Sequence, residues 1–247
     1  MPFSDDEIER YARHLVLREV GGPGQQALKA AKVLIVGAGG LSAPAALYLA
    51  AAGVGRIGLV DRDTVALSNL QRQVLYATTD IGRPKTEAAA ERLAALNPFT
   101  EVVAHPVMLG ADNAAALIAG YDLVLDGTDS FEARFAVNAA CVAQHTPLVS
   151  GALGRWDGQV GVFTGQPCYR CLVPEAPPDA ETCAAVGVVG ALAGVIGSMM
   201  ALEAVKLITG AGQPLAGRLL VYDGLNGRSR TARVAADPSC PTCGRDE

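Results

Sequence analysis

The sequence predicts an α/β chain built on a doubly wound, mostly parallel sheet, with a metal knot of cysteines toward its C-terminus. Three observations carry this. Short apolar runs alternate with helical stretches from Val33 to Val149. A glycine-rich turn, Gly37-Ala-Gly39-Gly40, joins the first apolar run to the first following helix. Four of the six cysteines sit in two C-x-x-C pairs, Cys168/Cys171 and Cys240/Cys243.

Taken in order, residues 4–18 read as a helix. Ser4 caps it, Glu7 completes a capping box, and Ile8, Tyr11 and Leu15 share a face. Gly21, Gly22, Pro23 and Gly24 then break the chain, leaving a short helix from Gln25 to Ala30. Val33–Val36 is a buried strand, Ala43–Ala52 a helix with Pro44 in its tolerated first turn, and Ile57–Val60 the next strand, closed by Asp61. The alternation continues with a helix over Lys85–Leu96, a strand over Glu101–Ala104, a strand over Asp122–Leu125, a helix over Phe131–Ala143 and a strand at Leu148-Val149. Gln159–Phe163 is expected near the sheet edge. An apolar helix over Val188–Ile208 and strands at Arg218–Tyr222 and Thr231–Val234 complete the chain. No internal repeat and no linker divides it, so one domain is expected.

Composition narrows the function. With 247 residues and 50% hydrophobic content the chain can bury one sizeable core, and 18% charged residues do not describe a disordered one. A net charge of −5 weighs against a nucleic-acid partner. The N-terminal Met1-Pro-Phe-Ser-Asp-Asp-Glu has no basic run ahead of an apolar stretch, so no secretion signal is expected and the cytoplasm is the expected compartment. Ala184–Leu202 carries no charge, but Gly187, Gly190, Gly194 and Gly197 suit close packing, so a buried helix is expected rather than a membrane span.

Glycines between a strand and a helix let the backbone approach phosphates, and the helix N-terminus favours anions. Asp61, 22 positions after Gly39, suits a ribose hydroxyl. These features alone describe any Rossmann-like nucleotide site, an NAD site included, and Ser42 stands where the third fingerprint glycine would fall. The next segments favour a triphosphate. Asn69-Leu-Gln-Arg72-Gln73 and Gly82-Arg83-Pro84-Lys85 bring cations, a planar fork at Arg72 and a point charge at Lys85, suited to charge on transferring phosphates. Lys85 with Glu87 also reads as a plain solvated helix start. Asp129, in Asp126-Gly-Thr-Asp129, either holds Mg²⁺ against phosphates or caps the helix that follows.

The cysteine pairs, 69 positions apart from Cys171 to Cys240, fit a closed tetrahedral Zn²⁺ site of structural role, with a redox pair as the rival. Cys183 stands alone after the Pro174, Pro177 and Pro178 loop and is either inert or a nucleophile. Cys141 lies in an apolar helix and reads as core.

Together these segments resemble the MoeB/ThiF group of ubiquitin-activating-enzyme-like adenylyltransferases. The resemblance runs through Arg10-Tyr-Ala-Arg13, Gly37-Ala-Gly-Gly-Leu, Asp61-Arg-Asp63, Ser68-Asn-Leu-Gln-Arg-Gln73, Asp80-Ile-Gly-Arg-Pro-Lys85 and Asp126-Gly-Thr-Asp129. It continues through Arg134, Asn138 and both cysteine pairs, so it covers nearly the whole chain. It implies one domain over 1–247: a helical arm over about 1–30, a nucleotide-binding core over about 31–150, and a crossover loop, zinc and carrier-binding part over about 151–247.

The resemblance also implies roles. Gly37, Gly39 and Gly40 form the ATP loop, Asp61 holds the ribose, and Asp63 and Asn69 support nucleotide and triphosphate. Arg72 and Lys85 stabilise the phosphates, Asp129 binds Mg²⁺, and Arg13 reaches the site from the partner of a homodimer, although Glu9 four residues earlier also makes it an ordinary surface helix pair. The implied reaction is adenylylation of the C-terminal Gly-Gly carboxylate of a small ubiquitin-like sulfur-carrier protein. A separate sulfur donor protein follows, since the chain ends four residues after Cys243. Relatives that use a cysteine matching Cys183 for covalent transfer make it a candidate here. Two departures are Ser42, at the third-glycine position, and Ser130, where the group commonly has Asn. The rivals are a zinc-stabilised NAD-dependent dehydrogenase, a non-catalytic binding partner of a ubiquitin-like protein, and a relative that adenylates a carboxylate on tRNA. His14, His105 and His145 offer the dehydrogenase no evident catalytic set.

Overall fold

The structure, a computed structural model, describes residues 2–177 and 187–244. The order of elements is α1 (Asp5–Leu15), α2 (Gly21–Ala30), β1 (Lys32–Val36), α3 (Ser42–Ala51), β2 (Arg56–Val60), α4 (Lys85–Leu96), β3 (Glu101–His105), α5 (Ala114–Ile118), β4 (Leu123–Asp126), α6 (Phe131–Ala143), β5 (Leu148–Leu153), β6 (Asp157–Phe163), α7 (Tyr169–Leu172), α8 (Gly190–Thr209), β7 (Arg218–Asp223) and β8 (Arg228–Arg233). Two 3-10 turns, Leu67–Asn69 and Thr78–Asp80, lie between β2 and α4.

The eight strands among the described residues form one sheet in the order β3-β2-β1-β4-β5-β6-β7-β8. The pairs from β3 through β5 are parallel and those from β5 through β8 antiparallel. Chain order reverses direction between β1 and β4, so the carboxyl ends of these strands open a crevice there. Gly127 N–H donates to the Val36 carbonyl (3.0 Å) and Gly37 N–H to the Val60 carbonyl (2.8 Å), tying three strand ends together.

One core layer joins α2, α3, α4 and α8 to the sheet through Leu28, Leu49, Leu93, Ile196 and Met200. The opposite layer joins α5 and α6 through Ile118, Val137 and Cys141. Helix α8 is long and apolar enough to cross a membrane, yet Leu192, Ala193, Ile196, Met200 and Ala204 are buried in this protein core. Its Gly197 sits so close to the Leu41 carbonyl that a Cβ would lie 2.2 Å away, so small size at that position allows the helix to pack on the α3 entrance.

Three expectations from sequence are corrected, and two helices are added to them. The glycines before Gln25 do not break the chain but open α2 at Gly21; Gly24 is pressed against Val20 and Thr209, and tertiary packing overrides the poor propensity. Strand β6 is interior rather than near the edge, because β7 and β8 add beyond it. Ile8 is exposed, and the buried side of α1 consists of Glu7 and Tyr11. The Tyr11 hydroxyl accepts from Asn97 Nδ2 (2.8 Å), while Glu7, closing the expected capping box with Ser4, pairs with Lys29 (2.7 Å). Helices α5 and α7 were not foreseen; at 5 and 4 residues they are too short to show periodicity.

Candidate active site and metal centre

A cleft of about 440 Å³ lies over the β1/β4 crevice. It gathers Gly37, Gly39, Gly40, Asp61, Asp63, Arg72, Lys85 and Asp129, eight residues separated by up to 92 positions in sequence. None of His14, His105 or His145 lines it.

The glycine loop is built by β1 and α3. Gly37 has φ of +82°, and a Cβ there would touch the Gly127 carbonyl at 3.3 Å, so glycine alone suits this turn. Ser42, the first residue of α3, is buried with its hydroxyl against Gly127, where a Cβ would come within 2.4 Å of Oγ. The serine that replaces the third fingerprint glycine is therefore accommodated by the glycine opposite.

Asp61 directly follows β2 and is locked at both oxygens: Oδ2 accepts from Ala38 N–H (2.8 Å) and Oδ1 from Asp63 N–H (2.8 Å). Lys85, the first residue of α4, is 6% exposed. Its Nζ lies 3.0 Å from Asp63 Oδ2 and 3.7 Å from Asp61 Oδ2. The reading of Lys85 as a plain solvated helix start is thereby set aside. Arg72 is half-buried, with Nη1 donating to the Ser68 carbonyl (3.0 Å). Tyr76 fastens this segment to the glycine loop by donating to the Ala38 carbonyl (2.8 Å).

The Asp126-Gly-Thr-Asp129 turn divides its two acids. Asp126 is 1% exposed; Oδ1 accepts from the Thr128 N–H (3.0 Å) and hydroxyl (2.7 Å), and Oδ2 from Ser150 Oγ (3.3 Å) and Arg134 Nη1 (3.5 Å). Asp129 is exposed to the cleft, and its side chain makes no hydrogen bond among the described residues. It does not cap α6: Ser130 does, accepting from Ala133 N–H (3.2 Å). Asp129 is thus left free for a cation, and the serine that stands where asparagine is common acts as the helix cap.

Asn69 does not line the cleft; its Oδ1 accepts from Ala66 N–H (3.1 Å), and its carbonyl receives the Arg72 and Gln73 N–H groups. Arg13 is exposed on α1 and is not among the cleft residues of its own chain. Cys183 lies outside the described residues. Sequence reasoning gave no role to Arg62, to the apolar wall Val107, Met108 and Leu109, or to Gln73, all of which line the cleft. Nor did it assign one to Arg134. That guanidinium is 6% exposed and donates to the Thr128 carbonyl, Ser150 Oγ (3.1 Å) and the Gly151 carbonyl (2.8 Å), holding the turn that carries Asp129.

The thiols of Cys168, Cys171, Cys240 and Cys243 all lie within 4.8 Å of one another. Cys168 Sγ is 3.6 Å from Cys240 Sγ, and Cys171 Sγ 3.4 Å from Cys243 Sγ. A tetrahedral zinc with Zn–S bonds near 2.3 Å needs sulfurs about 3.8 Å apart, so four thiolates here fit that ion. Asn138 Nδ2 donates to Cys168 Sγ (3.4 Å) and its Oδ1 accepts from Tyr169 N–H (2.8 Å). Burial pushes the Cys168 thiol up. At Cys240 burial acts the same way but is outweighed by the Cys243 and Thr242 N–H groups, which bring it down to about 7. Arg134 and Asn138 lie four residues apart on α6, so one helix face braces both the Asp129 turn and the cysteine cluster. Cys141 is core, its thiol pushed up to about 12 by burial and the nearby Asp126.

Residues 11–242 match the ThiF family. The chain is 49% identical to a sulfur carrier protein adenylyltransferase of Thermus thermophilus over 99% of this chain and 93% of that one. It is 46% identical to the molybdopterin-synthase adenylyltransferase of Escherichia coli, covering 98% and 99%. It is 48% identical to the probable adenylyltransferase/sulfurtransferase MoeZ of Mycobacterium tuberculosis, covering 97% of this chain and 63% of that one. Among solved structures, E. coli MccB with MccA-N7isoASN superposes with a TM-score of 0.86 at 22% identity, covering 98% of this chain and 76% of that one, a likeness of fold.

Proposed function

The chain belongs to the ThiF family and is an adenylyltransferase that uses ATP, and from that premise we propose that its acceptor is the C-terminal Gly-Gly carboxylate of a small ubiquitin-like sulfur-carrier protein. The observation that carries the proposal is the single cleft in which a glycine loop, a locked acid, two cations and a free aspartate converge.

A carrier carboxylate oxygen attacks the α-phosphorus of ATP, the bond from that phosphorus to the bridging oxygen breaks, and pyrophosphate leaves. The product is an acyl-adenylate, ready for a separate sulfur donor protein. The enzyme's work is to align two anions and offset their charge. The Gly37–Gly40 turn and the α3 N-terminus receive phosphate, Asp61 the ribose, and Val107–Leu109 the base. Arg72 and Lys85 face the charge on α-phosphate and pyrophosphate; Lys85 exchanges its Asp63 contact for phosphate as the nucleotide enters. Asp129 is the residue to hold Mg²⁺, which neutralises phosphate charge when bound. The four cysteines would hold Zn²⁺ as a closed structural site, which would pin the segment around Cys240 to α7. Asn69 supports from behind, by fixing the backbone of Arg72.

A homodimer is supported by Tyr48 on α3 and Val195 and Leu202 on α8, exposed apolar residues on two helices packed together. Arg13 would then serve the partner's site. Cys183 is a candidate for covalent transfer, and the cytoplasm is the proposed compartment.

The test is Mg²⁺-dependent ATP–pyrophosphate exchange against a panel of Gly-Gly-ended carriers, with Arg72→Ala alongside. Exchange that needs one carrier and vanishes in the variant supports the reading and identifies the carrier. ATP binding without exchange for any carrier favours a non-catalytic partner, and NAD binding in place of ATP favours a dehydrogenase.

A further inference from the structure

Gln73 lies in the cleft beside Arg72 and the glycine loop. Its side chain belongs to a residue only 4% exposed, and its Oε1 is sealed from solvent without a donor. Nε2 makes no hydrogen bond to the described residues either, and unlike Oε1 it is not among the sealed atoms. Its backbone, in contrast, is held on both sides: Gln73 N–H donates to the Asn69 carbonyl (2.9 Å), and the Gln73 carbonyl accepts from Tyr76 N–H (3.2 Å). The backbone at this residue is therefore held while the amide it carries is unpartnered. The end that matters for a ligand is Nε2: an amide donor left unpaired in a binding cleft points to an acceptor that arrives from outside.

Among the described residues two buried hydroxyls also lack partners, Ser42 Oγ and Thr86 Oγ1, but neither residue lines the cleft. Gln73 does, and the position of its nitrogen shows what it faces. Nε2 is the nearest atom to the space in front of Gly39, 3.8 Å from where a Cβ on that glycine would stand. That space is where a phosphate would meet the loop amides. A neutral amide there adds a donor without further charge, next to a guanidinium already present.

We propose that Gln73 is a nucleotide-contacting residue whose amide N–H donates to a phosphate oxygen of the nucleoside triphosphate held over Gly39. The assignment rests on the ATP-dependent reading above and deepens it. It also requires that the amide contribute nothing to the stability of the ligand-free chain, since it has no partner there.

The test compares equilibrium binding of ATP and of adenosine to the full chain and to Gln73→Met and Gln73→Glu, by calorimetry. Methionine keeps the length and removes the amide; glutamate keeps the shape and replaces the donor with negative charge. A hydrogen bond to a charged group predicts about a tenfold loss of ATP affinity in Gln73→Met, at least as much in Gln73→Glu, and adenosine affinity unchanged within about twofold. The thermal midpoint of ligand-free Gln73→Met should equal or exceed that of the unsubstituted chain. Equal losses for ATP and adenosine, or no loss for ATP in either variant, overturn the assignment. An unsubstituted chain that binds no ATP fails the adenylyltransferase reading first, before any variant is compared, and takes this assignment with it.

Discussion

Replacing Arg134 with methionine tests the network that aims Asp129. The guanidinium is buried and joins two carbonyls, a hydroxyl and the Asp126 carboxylate. Methionine fills much of the volume but donates nothing. Asp126 then remains at 1% exposure with its charge opposed only by the Thr128 and Ser150 donors. Breaking a buried charge pair from one side costs about 3–5 kcal/mol. For a chain of this length that lowers the thermal midpoint by about 6–20 °C. Urea unfolding of Arg134→Met beside the double variant with Asp126→Asn isolates the pair, because neutralising the acid removes the orphaned charge; the double variant should recover about 1–3 kcal/mol of the loss. A single-variant loss under about 1 kcal/mol, or strict additivity in the cycle, would refute the argument that this pair holds the turn.

Four further outcomes follow from the same geometry. Asp129→Asn should weaken Mg²⁺-dependent ATP binding while moving stability by no more than about 0.5 kcal/mol in urea unfolding, since the side chain is exposed and unbonded. Gly127→Ala should destabilise by about 1–3 kcal/mol through the clash with Ser42 Oγ, and Ser42→Gly in the same chain should restore most of it in thermal melts. Elemental analysis should find one zinc per chain, and chelation should expose the segment beyond Val234 to protease, because the cysteine cluster joins it to α7. At Glu7, burial acts to raise the carboxyl but is outweighed by Lys29 and the Ser4 N–H, which hold it below its ordinary value of 4.5. A carboxyl depressed by folding stabilises above its unfolded pKa and loses that contribution as pH falls through the folded value. The thermal midpoints of the unsubstituted chain and Glu7→Gln should therefore differ at pH 6 and converge in the acid range below 4.5.

The alternating strands and helices, the glycine loop, the acid after β2, the two cations and the paired cysteines are all legible in the residue order. Each is a local signal: Gly37 and Asp61 directly follow strands, α4 and α6 have the bounds their patterns predict, and C-x-x-C spacing needs no tertiary context. What depends on distant partners emerges with packing. Arg134 and Asn138 have helix spacing that any surface pair could show, and their meaning comes from Ser150 and Gly151 on β5 and Cys168 beyond β6. Whether Asp129 caps α6 or is left for a cation required seeing that Ser130 takes the cap, while Arg134 and Ser150 occupy Asp126. Helix α2 forms through glycines that propensity counts against, because Gly24 lets it pack on the end of α8. The amide of Gln73 is one more polar residue in a polar segment until folding buries it beside Gly39 without a partner. Burial and pairing are properties of the packed chain: identical side chains become structural or free according to what the sheet order brings against them.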